Sequence, residues 1–315
     1  MHDYESFNPD LICALAGVVG EDNVLMVEPM KLHTTFKIGG PADLLVKPQD
    51  PQQLVRVLDT CTFAEAPVTV VGNGSDLLVS DRGIRGVVVL LRENMADVRI
   101  EGTRVIAQAG ALLRDVALAA ADAGLSGLEP LWGIPATVGG ACFMNAGAYG
   151  GQTSDVLESV DVYVPSKRGQ RGSVCTLDVD QLNMGYRKSR VNTDGLIVLS
   201  AIFKLTPDSP DAIRFAMDDF QARREEKQPL DMPSAGSTFK RPEGYFAGKL
   251  IMDAGLRGAS VGGAQVSEKH CGFVVNTGRA PAADVCALIA HIQDEVKAQF
   301  GVDLEPEVRR VGEFD

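Results

Sequence analysis

Short runs of apolar and β-branched residues recur along the first two thirds of the chain. Each run has the length of a strand and is bounded by Gly, Asp or Pro, which favours strands over longer helices. The runs cover residues 68–71, 86–91, 105–107, 160–164 and 197–205. We therefore predict a framework of strands that are separated by helices and turns.

Helical patterns lie between and after these runs. Residues 51–60 and 112–124 predict two helices, and Gly124 supplies the stop signal of the second. Residues 211–228 are rich in charge and open with Asp or Pro, and Pro229 ends the pattern.

The last part of the chain combines a long helix with a strand. A stripe of apolar residues at helical spacing predicts an amphipathic helix that covers a sheet. The stripe consists of Val285, Leu288, Ile289, Ile292, Val296 and Phe300. Residues 302–311 are predicted to form a final strand. The chain as a whole indicates an α+β fold with a glycine-rich centre.

The chain has 315 residues, which suits two domains better than one core. The sequence 207–210, with a proline at each end, marks a boundary between them. We detect no internal repeat, heptad array or low-complexity tract, so solenoids, coiled coils and disordered chains are excluded.

Hydrophobicity, net charge and the placement of Cys and His argue against several classes of protein. No apolar run approaches the ~20 residues that cross a bilayer, and residues 1–5 lack the pattern of a signal peptide, so we expect a cytoplasmic protein. The net charge of -12 argues against binding to nucleic acid or to an anionic membrane. The six cysteines and four histidines are scattered, which predicts buried free thiols and no metal site.

Three common motifs are absent. Gly72-Asn73-Gly74 is not followed by the third glycine of a dinucleotide fingerprint, and residues 244–250 resemble a phosphate loop with one residue too few. No serine nucleophile elbow occurs. The loop of residues 71–78 nevertheless follows a predicted strand, and its small residues would direct backbone N–H groups at a phosphate. A tight turn without function is an equal alternative.

A second glycine-rich segment, residues 132–151, is more unusual. So many small residues cannot fill a core, so the backbone must approach something large and flat or pass through a crowded place. One interpretation is that this segment lies against the ring of a bound cofactor. A packed glycine loop without a ligand is the alternative.

Candidate polar residues cluster in three further places. Residues 186–190 form a basic cluster, 234–242 join small residues to two cations, and 305–309 carry Glu307. Between Ser234 and His270 there are five basic and three acidic residues, 5 − 3 = +2. An anionic ligand needs such a local basic patch in an acidic protein. Taken singly, these residues also suit solvated loops, an N-cap or a turn.

In this order the motifs resemble the UDP-N-acetylenolpyruvoylglucosamine reductase family, whose members are also called UDP-N-acetylmuramate dehydrogenases. The resemblance extends from residues 34–42 to Glu307-Val308-Arg309. It implies an FAD-binding domain of the vanillyl-alcohol-oxidase (PCMH) type in two α+β subdomains, followed by a smaller α+β substrate domain. The implied limits are an N-terminal segment 1–33, the FAD domain 34–207 and the substrate domain 208–315. The compact C-terminal part is similar to the family's second type, which lacks a tyrosine-bearing lid loop.

The resemblance also implies the ligands. FAD is expected to bind noncovalently, because neither glycine segment contains a histidine, and NADPH is expected to reduce it. The other partner is a UDP-sugar, and the protein is expected to be a monomer. The implied FAD contacts are Gly72, Asn73, Gly74, Ser75, Asp76, Leu77, Gly133, Ile134, Pro135, Thr137, Val138, Gly139, Gly140, Asn145, Ala146 and Gly147.

In the family's reaction, a hydride from flavin N5 reaches the enolpyruvyl double bond and leaves negative charge on the substrate. By resemblance, Arg187 and Glu307 stabilise that enolate and Ser237 donates the proton. Glu307 helps only if it is protonated or hydrogen-bonded to the intermediate. The implied substrate contacts are Tyr186, Lys240, Arg241, Arg257 and His270, of which Arg241 and His270 replace amide side chains of other members.

Two other functions remain open. One is an FAD-linked oxidase or dehydrogenase of the same fold that acts on a small alcohol or hydroxy acid. The other is a sensor that binds flavin or a nucleotide sugar without catalysis. The combination of Arg187, Ser237 and Glu307 favours the reductase over both.

Overall fold

The computed structural model of the protein describes residues 8–166 and 170–314. Its α-helices are α1 (Pro9–Val19), α2 (Pro51–Phe63), α3 (Leu113–Asp122), α4 (Val138–Met144), α5 (Arg190–Thr193), α6 (Pro210–Lys227), α7 (Ala247–Asp253) and α8 (Ala282–Phe300). None of these helices is long and apolar enough to cross a membrane.

The strands confirm the β-rich framework and add short pairs to it. They are β1 (Val24–Pro29), β2 (Pro41–Val46), β3 (Val68–Val71), β4 (Leu77–Val79), β5 (Ile84–Leu90), β6 (Val98–Glu101), β7 (Arg104–Gln108), β8 (Leu125–Ser126), β9 (Gly147–Ala148), β10 (Gly151–Gln152), β11 (Leu157–Val164), β12 (Ser173–Asp178), β13 (Ile197–Lys204), β14 (Thr206–Pro207), β15 (Ser234–Ser237), β16 (Ser260–Val261), β17 (Ala264–Val266), β18 (Phe273–Asn276) and β19 (Arg309–Val311).

The chain divides into two compact units that alternate along the sequence. Among the described residues, unit 1 contains 8–26, 43–73, 86–166 and 170–222, and unit 2 contains 27–42, 74–85 and 223–314. Each unit is therefore built from segments that are separate in the sequence. The domain limits at residues 33 and 207 stay a prediction.

Unit 1 is built on an antiparallel sheet with the strand order β12-β11-β13-β7-β6. Helices α3 and α4 contact β7, and α4 also contacts β13. In a further sheet, ordered β1-β2-β5-β3, strand β3 runs parallel to β5. Buried side chains of both sheets and of the helices join in one apolar core.

Unit 2 has an antiparallel sheet with the order β15-β18-β17-β16. Helix α8 contacts β16 and β17, and Val285, Leu288 and Ile292 on its inner face are buried. This confirms the predicted amphipathic helix, although Phe300 at its end is 38% exposed. Strand β4, which follows the first glycine loop, pairs in parallel with β19.

Local signals explain where the helices begin and end. Asp50 caps α2 by accepting a hydrogen bond from Gln53 N at 2.7 Å, and Pro51 follows it. Gly124 has a φ of +67° just beyond α3, as its predicted stop signal requires. Helix α8 ends at Gly301, whose φ of +70° lies in the left-handed region.

The predicted strand over residues 302–311 is wrong for most of its length. Only Arg309–Val311 is a strand, and Pro306 forms an isolated bridge with Phe239. Proline has no N–H group, so a ladder cannot continue through it. Glu307 consequently precedes the last strand instead of lying within it.

The cysteines are all free, as predicted, but they are not all buried. Cys61, Cys142 and Cys271 are buried, whereas Cys13 and Cys175 are exposed. Burial raises the pKa of both Cys61 and Cys142 to about 12, so these two thiols stay protonated near neutral pH.

Candidate active site

The first glycine loop packs against the second glycine-rich segment inside unit 1. A Cβ on Gly72 would lie 2.2 Å from Oγ1 of the buried Thr137, so this position has no room for a side chain. Next to it, Nδ2 of Asn73 donates a hydrogen bond of 2.6 Å to Pro135 O. Two predicted FAD-contacting segments are thus held together by backbone approach and one side-chain bond.

The loop continues in unit 2, where it meets the segment of residues 33–35. Gly74 has a φ of +58°, and a Cβ there would lie 2.3 Å from His33 O. Thr35 N donates to Gly74 O at 3.3 Å, and Arg309 N donates to Asp76 O at 2.9 Å. Leu77 then begins strand β4.

The backbone of this loop fits an anionic group. Among the described residues, the N–H groups of Gly72 and Asn73 in unit 1 donate to no other group of the protein. Consecutive backbone donors on small residues form the kind of concavity that binds phosphate. The diphosphate of FAD suits such a run of donors.

The second segment is not a loop throughout, since residues 138–144 form helix α4. Thr137 caps the helix by accepting from Gly140 N at 3.4 Å. Val138 N and Gly139 N donate to Ala111 O and Ala109 O, both at 2.8 Å. The small residues allow this close packing, because a Cβ on Gly139 would lie only 3.2 Å from Ala109. Gly140 is exposed and presents bare backbone, which suits a flat ring.

Asn145 ends α4 in the left-handed conformation, with a φ of +45°. Its side chain is 2% exposed. Nδ2 donates to Gln152 Oε1 and to Gly185 O, both at 3.2 Å, and Oδ1 accepts from Ser154 N at 3.0 Å. Its neighbours Ala146 and Gly147 lead into the hairpin of β9 and β10.

Arg187 lies in a tight turn of unit 1 that is closed by two backbone hydrogen bonds. Gly185 N donates to Lys188 O at 2.9 Å, and Lys188 N donates to Gly185 O at 3.1 Å. Arg187 has a φ of +54°, an unusual conformation for a residue other than glycine, and such residues are enriched at functional sites. Its guanidinium carbon is 5.0 Å from the ring centroid of Tyr186, which is 55% exposed.

Unit 2 places Ser237 and Glu307 on adjoining segments. Ser237 is exposed at the end of β15, opposite Phe273 of β18. The next residue, Thr238, accepts a hydrogen bond of 2.8 Å from Glu307 N through its carbonyl. Its hydroxyl, which is buried, accepts from Val274 N at 2.9 Å. Thr238 therefore links the two predicted functional residues to the sheet.

The predicted substrate cations of unit 2 have partners within the protein. The Lys240 ammonium forms an ion pair with Glu305, and the guanidinium carbon of Arg241 lies 4.0 Å from the ring centroid of Phe246. Arg257 donates to Glu268 O. Arg257 also donates to Met252 Sδ at 3.1 Å, and both Arg241 and Arg257 are exposed residues.

His270 is held in one tautomer by its own turn. Its Nδ1 accepts from Gly272 N at 3.1 Å, which leaves the ring proton on Nε2 when the ring is neutral. The ring packs edge-on against Phe273, with 5.1 Å between the centroids. Burial lowers the pKa of His270 below its ordinary value, so near neutral pH the ring is an uncharged donor.

Sequence reasoning missed Thr238 and Ser189. Thr238 directly follows Ser237 in the motif of residues 234–242, where Ser237 is the residue with a predicted catalytic role. Ser189 is buried and donates to Phe143 O at 2.8 Å, but in the sequence it looks like part of a solvated basic cluster. No local pattern marks either contact, because each joins segments that are distant in the chain.

Comparison with known proteins gives a consistent assignment for both parts of the chain. A model described as FAD binding domain matches residues 42–168. A model described as the C-terminal domain of UDP-N-acetylenolpyruvoylglucosamine reductase matches residues 228–311. The predicted α+β fold with an FAD-binding domain and a further C-terminal domain is confirmed.

Full-length relatives carry the same name. A UDP-N-acetylenolpyruvoylglucosamine reductase of Agathobacter rectalis is 54% identical and covers 92% of this chain and 95% of its own length. One of Clostridium botulinum is 49% identical, with 99% of both chains covered. The crystal structure of UDP-N-acetylenolpyruvylglucosamine reductase from Thermus caldophilus is 36% identical, covers 91% of this chain and 98% of that chain, and has a TM-score of 0.77. The chain therefore belongs to the UDP-N-acetylenolpyruvoylglucosamine reductase family.

Proposed function

We propose that this protein uses NADPH and bound FAD to reduce UDP-N-acetylglucosamine enolpyruvate to UDP-N-acetylmuramate, a step in peptidoglycan precursor synthesis. The observation that carries the proposal is the 2.8 Å hydrogen bond from Glu307 N to the carbonyl of Thr238, the residue that follows Ser237 in unit 2. A hydroxyl and a carboxylate on adjoining segments suit a reaction that must add one proton to a reduced double bond.

The proposed FAD-binding residues are those of the two glycine segments. Backbone N–H groups of Gly72 and Asn73 in unit 1 support binding of the diphosphate, and the exposed backbone at Gly140 suits the ring. Bound FAD supplies the two-electron chemistry, since it accepts electrons from NADPH and passes a hydride to the substrate. The glycines contribute by letting the main chain come close to the cofactor.

Arg187 and Ser237 have complementary proposed roles. Negative charge develops on the substrate beside its carboxylate, and the Arg187 guanidinium stabilises that charge better than water can. Ser237 is exposed, so its hydroxyl is accessible to a ligand and can give its proton to the neighbouring carbon. We assign to Glu307, on the segment bonded to Thr238, the role of orienting this hydroxyl or of hydrogen-bonding to the intermediate.

The proposed anchors of the UDP-sugar are Tyr186 together with Lys240, Arg241, Arg257 and His270. A guanidinium group binds two oxygens of one phosphate at once, and the exposed positions of Arg241 and Arg257 support them as phosphate contacts. The neutral His270 ring, with its proton on Nε2, contributes one hydrogen bond rather than a positive charge. The two arginines, by contrast, contribute positive charge to their proposed contacts.

The proposal is tested with anaerobic spectra of the purified protein. Addition of NADPH is expected to bleach the flavin band, and subsequent addition of UDP-N-acetylglucosamine enolpyruvate is expected to restore it. A flavin that bleaches but regains its colour only with oxygen would support the oxidase alternative. A protein that binds flavin but does not turn over would support the sensor, and a colourless protein that cannot be reconstituted with FAD would contradict the proposal.

A further inference from the structure

The turn that carries Arg187 is small and conformationally strained. Its ends are joined by only two backbone hydrogen bonds, between Gly185 and Lys188, and Arg187 itself has a positive φ. A short turn of this kind keeps one geometry only when its surroundings determine it. The contacts that surround the turn therefore decide where the guanidinium points.

Two buried side-chain hydrogen bonds attach the turn to the end of α4. On one side, Nδ2 of Asn145 donates to Gly185 O at 3.2 Å. On the other side, Oγ of Ser189 donates to Phe143 O at 2.8 Å. Asn145 is 2% exposed and Ser189 is 0% exposed. All four residues belong to unit 1, and the two bonds flank Arg187 along the chain.

The side chain of Asn145 has no amide hydrogen left for a ligand. Both hydrogens of Nδ2 are accounted for, because Gln152 Oε1 and Gly185 O each accept one. Its Oδ1 accepts from Ser154 N. The left-handed conformation alone would suit glycine as well as asparagine. The requirement for an amide therefore comes from the donated bonds.

From these contacts we infer that Asn145 is a positioning residue, which holds the Arg187 turn in place and does not bind FAD through its side chain. The inference rests on the proposed function, because it concerns the stabilisation of substrate charge by Arg187. An error of about 1 Å in the placement of a catalytic group can slow a reaction by about 10²-fold. Loss of the bond to Gly185 O is expected to slow the step that uses Arg187.

The test compares Asn145→Asp with Thr153→Val. Aspartate tolerates the left-handed conformation and keeps the acceptor for Ser154 N, but it cannot donate to Gly185 O. The control removes a different buried hydrogen bond close by, since Oγ1 of Thr153 donates to Ala146 O at 2.9 Å. Asn145→Asp removes the bonds to Gly185 O and to Gln152 Oε1, whereas Thr153→Val removes one bond that does not reach the Arg187 turn.

Three measurements separate positioning from general damage. The rates of flavin reduction by NADPH and of reoxidation by UDP-N-acetylglucosamine enolpyruvate are measured separately. Hydrogen exchange is followed in a peptide that contains the amides of Gly185 and Lys188. Finally, Asn145→Asp is combined with Arg187→Ala, because a residue that acts through Arg187 has no further effect once Arg187 is gone.

We expect Asn145→Asp to slow reoxidation by about tenfold or more, to leave reduction unchanged and to accelerate exchange at the turn. The double variant should reoxidise at the rate of Arg187→Ala. Ser189→Ala, which breaks the other attachment, should give the same pattern if Asn145→Asp does not fold.

Other results overturn the inference. Equal slowing in Thr153→Val would assign the effect to packing, and additive slowing in the double variant would show that Asn145 does not act through Arg187. Unchanged exchange and reoxidation rates in both Asn145→Asp and Ser189→Ala would contradict it directly. If Arg187→Ala alone reoxidises normally, the proposed role of Arg187 fails, and the inference fails with it for a distinguishable reason.

Discussion

The two units carry their functional groups in different ways. In unit 1 the predicted FAD contacts are mainly backbone, and Gly72 lies where a Cβ would approach Thr137 to 2.2 Å. In unit 2 the predicted reacting groups are side chains, and Ser237 is exposed at the end of a strand. Substitutions in the glycine segments of unit 1 should therefore act chiefly through stability and cofactor retention, and substitution of Ser237 in unit 2 chiefly through rate.

The largest expected effect is that of Ser237→Ala. Loss of a general acid should slow reoxidation of the flavin by substrate roughly 10²-fold or more, whereas reduction by NADPH and thermal stability should hardly change. Stopped-flow absorbance of the flavin band measures both half-reactions. Ser260→Ala, an exposed serine of the same sheet, is the control. Normal reoxidation in Ser237→Ala would remove Ser237 from the reaction.

Gly72→Ala tests whether the glycine segments of unit 1 depend on close backbone packing. Its methyl group would overlap the buried Thr137, so the free energy of unfolding should fall by about 1–3 kcal/mol, and less FAD should copurify. Urea unfolding and the flavin-to-protein absorbance ratio measure these effects. Gly17→Ala, in α1 with open space around the added methyl group, should instead raise stability by about 0.5–1 kcal/mol. Equal effects of the two substitutions would refute the role of close packing at Gly72.

Asp81 shows that unit 2 also depends on a side chain for its stability. Its carboxylate accepts from Ala282 N at 2.7 Å and from Ala283 N at 3.1 Å, so it caps α8 from a distant part of the chain. Asp81→Ala should lower the free energy of unfolding by about 1 kcal/mol without changing either flavin half-reaction. Asp81→Asn, which retains an acceptor, should recover part of the loss in urea unfolding.

The smallest expected effect is a pH dependence from His270. Burial lowers its pKa in the folded state, so the unfolded chain binds the proton more readily. Its contribution to stability is present above the ordinary His pKa of about 6.5 and is lost as the pH falls through the lower folded value. In His270→Asn, the urea midpoint should fall less between pH 7 and pH 5 than in the unchanged protein. Parallel decreases would exclude His270 as the cause.

Most helices and strands could be predicted because their signals are local. The predicted strand 68–71 is found as Val68–Val71, and the helix predicted for 112–124 is found as Leu113–Asp122. The failures involve contacts between distant segments. Residues 138–144 are helical although they are rich in small residues, because they pack closely on β7 and β13. Residues 302–308 are not a strand, because Pro306, which forms an isolated bridge with Phe239, has no N–H group with which to continue a ladder.

The candidate site was predictable only in part. The family and its FAD-binding domain were recognised from motif order, and the comparisons confirm both. The individual roles of Arg187, Ser237 and Glu307 stay predictions. The attachments of these residues were not predictable, because the hydrogen bonds of Asn145 to Gly185 and of Thr238 to Glu307 depend on tertiary packing.

The sequence alone determined the protein family, because the order of the glycine segments, cations and carboxylates along the chain is typical of that family. It also determined most local structure, since caps, glycines and apolar spacing act over a few residues. Only the tertiary structure decided that Thr238 joins Ser237 to Glu307 and that Asn145 supports the Arg187 turn. A hydrogen bond between distant segments forms where packing brings donor and acceptor together, and no local pattern encodes that distance.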